Sequence, residues 1–417
     1  MLWLALTACD REPTDSGEPC TPMTLYEDLD GDGFGGEPVE ACEEAEGLVD
    51  NAEDCDDADP TIFPGADELP CDGVDSDCDG EDPEGVAFVD EVPYDTAQAA
   101  LDALEAGGTA WICPGDHPVA ADLSGLADAE IRSVSGDPED TRLTGGSSVI
   151  VLNDAENVLV TGFGFPDVSS HGVVLGGNGT RLMNSRFEGS TGTALNLRPP
   201  AGGTVTVSGV DIVDPSGVPI QVYGEGTVLL SDMSLSGAVD NAMNNGLEGD
   251  GHLIIRDSLF EDNAMGHDGL VYDRGTCEQV TVERSTFRNN SAQYGAVYYM
   301  WRTSTKVGFD FVFTDNVFED NYNTEDNGGG VINLRTSGDE IPSALTISGG
   351  HWYRNDVLDT GPISIYAHSD EISVFIEDVD LGEGDDDNTN HDVDFNGGLY
   401  LFDGVTTVTC TAGGACE

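Results

Sequence analysis

Basic charge is what this 417-residue chain lacks most. It has 14 Lys plus Arg against 81 Asp plus Glu, a formal net charge of −67, and Lys306 is its single lysine. A nucleic-acid binder needs a basic footprint, and phosphate would be repelled here. Anionic lipid surfaces are disfavoured for the same reason. Long apolar runs are also missing, and nothing approaches the roughly 18 residues of a membrane span. Histidine is scarce, with none before His117. The hydrophobic fraction of 38% is low but sufficient for a core, so wholesale disorder is excluded. The length exceeds one ordinary compact domain and points to an elongated fold or several modules. A salt-adapted or merely soluble exported protein would carry the same acid excess. That plain alternative stands beside the specific readings below.

The N-terminus sets the expected compartment. Met1 to Leu6 are mostly apolar and lead into Leu6-Thr7-Ala8-Cys9. This resembles a bacterial lipobox, where an export signal is cleaved and the new N-terminal Cys acylated. The apolar stretch is shorter than the usual roughly 7–15 residues and carries no Lys or Arg. The resemblance implies a signal over 1–9, a lipid anchor at Cys9 and a polar tether over 10–19. The protein would then sit in the cell envelope, facing the periplasm or the exterior, and touch the membrane only through its anchor. Export also places the other nine Cys in an oxidising compartment, where they read as disulfides. Five lie between residues 20 and 78, and Cys410 and Cys416 are close enough to pair. An odd count leaves at least one free, with Cys113 and Cys277 as the candidates. Connectivity among the first five is not readable from spacing.

Residues 20–84 form an acidic, Cys-rich module. From Asp10 to Glu84 there are 28 acids and one base, Arg11. No hydrophobic period of 2 or 3.6 runs through it, so carbon burial alone cannot fold it. It has two other staples, Cys and carboxylate. Asp28-Leu29-Asp30-Gly31-Asp32-Gly33-Phe34 places acids at relative positions 1, 3 and 5 with Gly at 6. That is the first half of an EF-hand-like calcium loop. Position 12 is Val39 rather than Glu, so a further ligand must come from elsewhere. Asp54-Cys55-Asp56-Asp57 supplies an acid cluster, and Asp75-Ser76-Asp77-Cys78-Asp79-Gly80 repeats the spacing. The candidate ligands are Asp28, Asp30, Asp32 and the Phe34 carbonyl, then Asp54, Asp56 and Asp57, then Asp72, Asp75, Asp77 and Asp79. A solvated acidic linker is the structural alternative.

The run from Tyr26 through Asp28–Gly35, Cys42, Asp54–Asp57, Pro64-Gly65-Ala66-Asp67-Glu68 and Cys71–Gly80 resembles the metal-binding motif of MopE-type bacterial surface proteins. The match spans about 60 residues. It implies an exported, surface-associated metal-binding module. The family name is tied to copper, yet copper prefers imidazole and sulfur. All-oxygen ligands with flexible geometry favour Ca²⁺ as the cofactor.

From residue 92 to 417 the pattern changes. Residues 96–106 read as an amphipathic helix ended by Gly107-Gly108, followed by a short strand at Thr109–Ile112. Arg256-Asp257-Ser258-Leu259-Phe260-Glu261-Asp262-Asn263 is echoed at Glu283–Asn290, Thr314–Asn321 and Ser348–Asn355. Weaker copies centre on Phe165, Phe187, Ile212, Leu235 and Leu381, which gives about 27 residues per repeat. Asn263, Asn290, Asn321 and Asn355 each follow their aromatic by three. Stacked amides at one turn form a hydrogen-bonded ladder, and Phe260, Phe287, Phe318 and Trp352 would stack inside. The order of capping helix, strand and repeats resembles right-handed parallel β-helices of the pectin-lyase-like superfamily. The fold class expected is therefore all-β, a solenoid behind a loop-rich, disulfide-stapled module. A hairpin β-sandwich is the rival, and it leaves the fixed aromatic–Asn offset unexplained.

Many relatives of this fold cleave acidic polysaccharides. The residues that could do so are Asp268, Asp273, Arg274, Arg302, Arg335 and His368, near the ends of strands that follow a Gly, with Arg198 beside them. The alternative is strand-end Arg paired with local Asp. Asp385-Asp386-Asp387 reads as a solvated loop or, with Asp392 or Asp394, a further cation site. The remaining His residues show no metal spacing and read as surface or turn positions. The functional expectation is an anchored surface protein whose β-helix binds, adheres or serves as structure. A polysaccharide lyase or glycoside hydrolase is the alternative. A polysaccharide or surface protein is the expected partner, and nucleic acid is not.

Overall fold

The computed structural model describes residues 21–68, 70–80, 85–145, 148–303, 308–324, 329–337, 343–356, 363–368, 372–380, 399–401 and 405–411. Cys9, Cys20, Cys416, Leu381 and the acids at 385–394 lie outside them. So do the side chains of His368 and Cys410. The chain divides into two compact units. One runs through residue 69 and over Gly73–Pro83. The other comprises Pro70–Asp72 and everything from Glu84 onward. No helix among the described residues is long and apolar enough to cross a membrane.

The first unit has almost no core. Its three-stranded antiparallel sheet places Met23–Glu27 between Pro38–Ala41 and Leu48–Val49. Leu25 is its one buried hydrophobic side chain among the described residues, and Phe34 stacks on Phe63 with centroids 5.7 Å apart. The Cys55–Cys78 disulfide joins the acid cluster to the second acidic loop. Carbon burial this small cannot order some 60 residues, so the fold depends on cross-links and on what its carboxylates bind.

The second unit is a parallel β-solenoid. Thr96 Oγ1 accepts the Ala99 N–H (3.1 Å) and caps a helix over Ala97–Ala103, shorter than the 96–106 expected. Leu104 leaves helical geometry with ψ 121°, so the two glycines are not needed to end it. Ala97, Ala100 and Leu101 bury against the first coil. Strand Thr109–Ile112 then pairs parallel with Glu130–Ser133, and the coils stack from there. Their length grows along the chain, from a repeat of 22 residues near Phe163 to 34 near Asn321.

The predicted register is present. Phe165 stacks on Phe187 (4.6 Å), and Phe260, Phe287, Phe318 and Trp352 form a continuous column at 5.2, 5.1 and 4.0 Å. Beside it runs the amide ladder. Asn263 donates to Asn290 Oδ1 (2.8 Å), Asn290 to Asn321 Oδ1 (3.0 Å) and Asn321 to Asn355 Oδ1 (2.9 Å), and all four residues are fully buried. The residue before each ladder Asn has positive φ: Asp262 57°, Asn289 52°, Asp320 53° and Arg354 48°. Asp and Asn enter this region more easily than other residues, which accounts for the recurring Asp-Asn and Asn-Asn pairs.

Cys71 bonds Cys113, and Cys277 stays reduced and buried. The pairing corrects the reading that held Cys113 to be a candidate free thiol. The partner lies 42 residues away, beyond any local spacing signal.

The two main sheets present different outer surfaces. One contains 22 strands, two per coil along most of its length, and the other 11. Outward Arg residues on the longer sheet pair with carboxylates in neighbouring coils. Arg284 forks onto Asp257 (2.7 and 2.9 Å), Arg142 onto Asp116 (2.5 and 2.8 Å) and Arg354 onto Asp320 (2.8 and 2.9 Å). On the shorter sheet one register row runs from exposed Asp122 through Val151 and Val174 to Asn196, Gln221, Asn244, Tyr272, Tyr299 and Asn333, of which Asn196, Tyr299 and Asn333 are buried. The next carries Tyr223, Trp301 and Arg335, with Arg198 and Arg274 just past their strand ends.

Candidate metal centre

Each acidic loop divides its carboxylates in the same way. Within the first loop, Asp28 Oδ1 accepts Gly31 N–H (2.8 Å), Asp30 Oδ1 accepts Asp32 N–H (3.2 Å) and Asp32 Oδ1 accepts Phe34 N–H (2.8 Å). One oxygen of each acid thus shapes the loop. The other oxygens of Asp30 and Asp32 are buried without any donor, and Asp54 Oδ2 joins them while its Oδ1 holds Asp56 N–H (2.9 Å). Asp28, Asp30 and Asp32 offer oxygens that all lie within 4.8 Å of one another.

The second loop repeats the scheme with a different supporting acid. Asp75 Oδ2 accepts Gly80 N–H (2.9 Å) and Glu68 Oε2 accepts Asp77 N–H (2.9 Å), while Asp75 Oδ1 and Glu68 Oε1 are buried and donorless. Glu68, Asp75 and Asp77 form the second group within 4.8 Å. The position-6 glycines of both loops, Gly33 and Gly80, have φ of 100° and 92°. A side chain there would be strained, so the Gly expected from spacing is required by the turn.

Five buried anionic oxygens without donors are costly unless a cation answers them. Desolvation raises the Asp30, Asp54 and Glu68 carboxyls above their ordinary range, and neighbouring acids push each further. A raised carboxyl favours the protonated fold. Without a cation these three carboxyls therefore contribute stability in acid that is lost as pH rises through their raised values. Oxygens within 4.8 Å of one another can all reach one hard cation at an O–cation distance of about 2.4 Å.

The structure divides the expected ligands. Asp28, Asp30 and Asp32 come together with Asp54 beside them, and Asp75 and Asp77 come together. Asp57 instead accepts Leu29 N–H (2.8 Å) and lies against Gly36. Asp56, Asp72 and Asp79 are exposed and outside both groups. The Phe34 N–H is bound to Asp32 and its ring packs on Phe63. Glu68 was missed, because it precedes the loop it serves and has no place in the 1, 3, 5 pattern.

The solenoid candidates do not share one groove. Asp273 and Arg302 point inward, 0% and 3% exposed, and face each other at 3.3 Å. Tyr298 OH (2.6 Å) and Gly275 N–H (3.0 Å) also donate to Asp273. Asp268, Arg274 and Arg335 lie outside, around tyrosines. Arg274 sits over Tyr272 (5.5 Å), and Arg335 over Tyr294 and Tyr299 (5.3 and 5.7 Å). His117, expected at the surface, is buried with its Nε2 on the Cys113 carbonyl (2.8 Å).

Residues 148–312 match the family model of right-handed β-helix regions. Residues 54–84 match that of the Cu-binding MopE family, a metal-binding motif. The loop at Asp28 lies outside the matched stretch and rests on its own geometry. Among solved structures the chain is similar to the catalytic unit of a thermostable GH87 alpha-1,3-glucanase from Streptomyces thermodiastaticus strain HF3-3. That likeness has 12% identity and a TM-score of 0.36, over 91% of this chain and 75% of that one. No protein of curated function matches. The chain is a β-solenoid with a right-handed β-helix region, preceded by a MopE-type metal-binding motif.

Proposed function

We propose that this chain is a lipid-anchored, exported surface protein. Its N-terminal unit binds Ca²⁺, and its β-helix serves binding or adhesion. The carrying observation is the set of five buried, donorless oxygens on Asp30, Asp32, Asp54, Glu68 and Asp75. The ligand atoms they offer are oxygen throughout. Cys55 and Cys78 are tied in a disulfide, and the unit contains no histidine, so copper finds neither of its preferred ligands. The cation would cancel repulsion among carboxylates and replace the hydrophobic core the unit does not have. At about 100-fold excess over its dissociation constant each site would add about 2.7 kcal/mol.

The test is a Ca²⁺ titration of the whole chain after chelation, followed by calorimetry and by amide hydrogen exchange over residues 21–80. Two binding events with protection confined to this unit are expected. Asp30→Asn with Asp32→Asn should remove the first event and leave the second. Stronger binding of Cu²⁺ than Ca²⁺, or no protection on adding Ca²⁺, would refute the assignment. For the anchor, Cys9→Ala expressed from its natural start should move from the membrane fraction to the soluble one. Retention with acyl chains attached would refute it.

A further inference from the structure

We propose that the Cys55–Cys78 disulfide is the positioning element for both cation sites, so that its redox state sets their affinity for Ca²⁺. This control rests on the calcium reading above. Each cysteine of the pair adjoins a carboxylate of a different group. Cys55 follows Asp54, whose Oδ2 is buried and donorless beside Asp30 and Asp32. Cys78 follows Asp77 of the group formed with Glu68 and Asp75. One covalent bond, across a sequence separation of 23, therefore spans the two sites.

The contacts around the bond are those of a clamp. The Cys55 N–H donates to Cys78 Sγ (3.2 Å), and Cys55 Sγ lies 3.4 Å from the Asp75 carbonyl. The cross-link thus also touches the backbone of a second-group ligand, whose own Oδ1 is buried and donorless. Cys78 has a φ of 57°, a left-handed conformation that an L-residue with a Cβ holds only under constraint. The bond to Cys55 supplies that constraint. It fixes the backbone between Asp77 and Asp79, where Asp77 Oδ1 accepts the Asp79 N–H (3.2 Å). Once released, Cys78 can leave the left-handed region and turn Asp77 away from Glu68 and Asp75.

Weaker ties remain when the bond is cut. Phe34 stacks on Phe63, the Phe63 N–H donates to the Ser76 carbonyl (2.9 Å), and the Asp54 N–H to the Gly35 carbonyl (3.3 Å). The loops then stay near their places with more freedom, and binding must order them. Loss of such support around a metal site weakens it by about tenfold or more. Cys55 is exposed and Cys78 half-buried, open to a thiol reductant, whereas Cys113 of the Cys71–Cys113 pair is buried. Two thiol molecules pass two electrons and two protons to the S–S bond, which leaves two cysteine thiols and one small disulfide. Linkage makes the effect reciprocal. If the bond strengthens each of two sites about tenfold, saturating Ca²⁺ protects it about a hundredfold. That is about 60 mV, at about 30 mV per tenfold for a two-electron couple.

The test has two arms. Ca²⁺ titration calorimetry compares the full chain with a variant carrying Cys55→Ser and Cys78→Ser, in which both sites should weaken about tenfold. The full chain is also poised in glutathione redox buffers, with Ca²⁺ or with chelator, and the Cys55–Cys78 pair is read by alkylation and mass spectrometry. Ca²⁺ should move the midpoint of that pair by about 60 mV toward stronger reductants. Reoxidising the reduced chain should restore the original affinities. The midpoint is read in the natural chain, so it decides the matter even where the variant does not fold. A midpoint unmoved by Ca²⁺, equal affinities in chain and variant, or weakening confined to one site would overturn the proposal and leave the calcium reading standing. No Ca²⁺ binding by the oxidised chain would overturn both.

Discussion

Truncating one rung of the amide ladder is the sharpest test of the solenoid. Asn290 donates to the Phe260 carbonyl (2.9 Å) and to Asn321 Oδ1 (3.0 Å), and it accepts from the Asn263 amide (2.8 Å). Asn290→Ala removes all three bonds, but the groups left behind differ. Asn263 keeps its bond to the Leu235 carbonyl and Asn321 Oδ1 keeps the Asn290 N–H. The Phe260 carbonyl loses a partner in a dry turn. One such loss costs roughly 1–3 kcal/mol and each remaining net bond about 1 kcal/mol, so the total is about 3–5 kcal/mol. The control is the adjacent residue. Asn289 bonds Asp262 at the exposed surface, but its φ of 52° makes Ala a poor choice, since leaving an L-residue with a Cβ there costs about 1–2 kcal/mol. Asn289→Gly avoids that strain and should stay within about 0.5 kcal/mol. Equilibrium urea unfolding, followed by the fluorescence of Trp352 two coils away, measures both. Equal midpoints for the two variants, or a loss under 1 kcal/mol at Asn290, would refute the ladder's role.

Three further outcomes are expected. Breaking the Cys71–Cys113 disulfide in a double Ser variant should cost about 4 kcal/mol by the chain-entropy account of a 42-residue loop; unchanged thermal stability would contradict it. Burial and the nearby Asp273 push the Cys277 thiol up to about 11, so mass spectrometry should find no iodoacetamide on Cys277 at pH 8 until the chain is unfolded; rapid native labelling would mean the coil is open. Glu68→Gln should weaken the second cation site roughly tenfold and leave the first unchanged, and the reverse result would misplace Glu68.

Much of this was legible because its signals are local. The aromatic–Asn offset recurs within eight residues and marks one turn of every coil, so the stack and ladder follow from it. The acidic loops are legible because positions 1, 3, 5 and 6 belong to a single turn. What escaped is long-range. Glu68 and Asp54 complete their groups from outside the loops, and Cys113 pairs across 42 residues. The solenoid arginines failed differently. Arg274 and Arg302 both lie at strand ends, but a period of two decides their fate. In Val271-Tyr272-Asp273 the valine and aspartate point inward, so Arg274 points outward. In Tyr298–Thr303 both parities are apolar or aromatic, so alternation alone cannot assign Arg302 to the core, where it meets Asp273.

The distribution of charge bears on the plainest account of this acidity. A coat of carboxylates adapted to salt or solubility has no reason to prefer one surface, since hydration and self-repulsion act alike on every exposed position. The acids here are not spread in that way. Twenty-eight fall before residue 85, where buried oxygens lack donors. On the longer sheet, carboxylates alternate with arginines across coils, as in Glu261, Arg288 and Glu319 in one register column. Exposed pairs of this kind contribute little individually, but they prevent like charges from stacking at every coil of a parallel array. On the shorter sheet the exposed acids of the described strands, Asp122, Asp154 and Glu156, lie in its first strands. The first two patterns answer different local demands, a grouping of carboxylates in the first unit and axial neutralisation on the longer sheet. A general solvated coat would leave both unexplained.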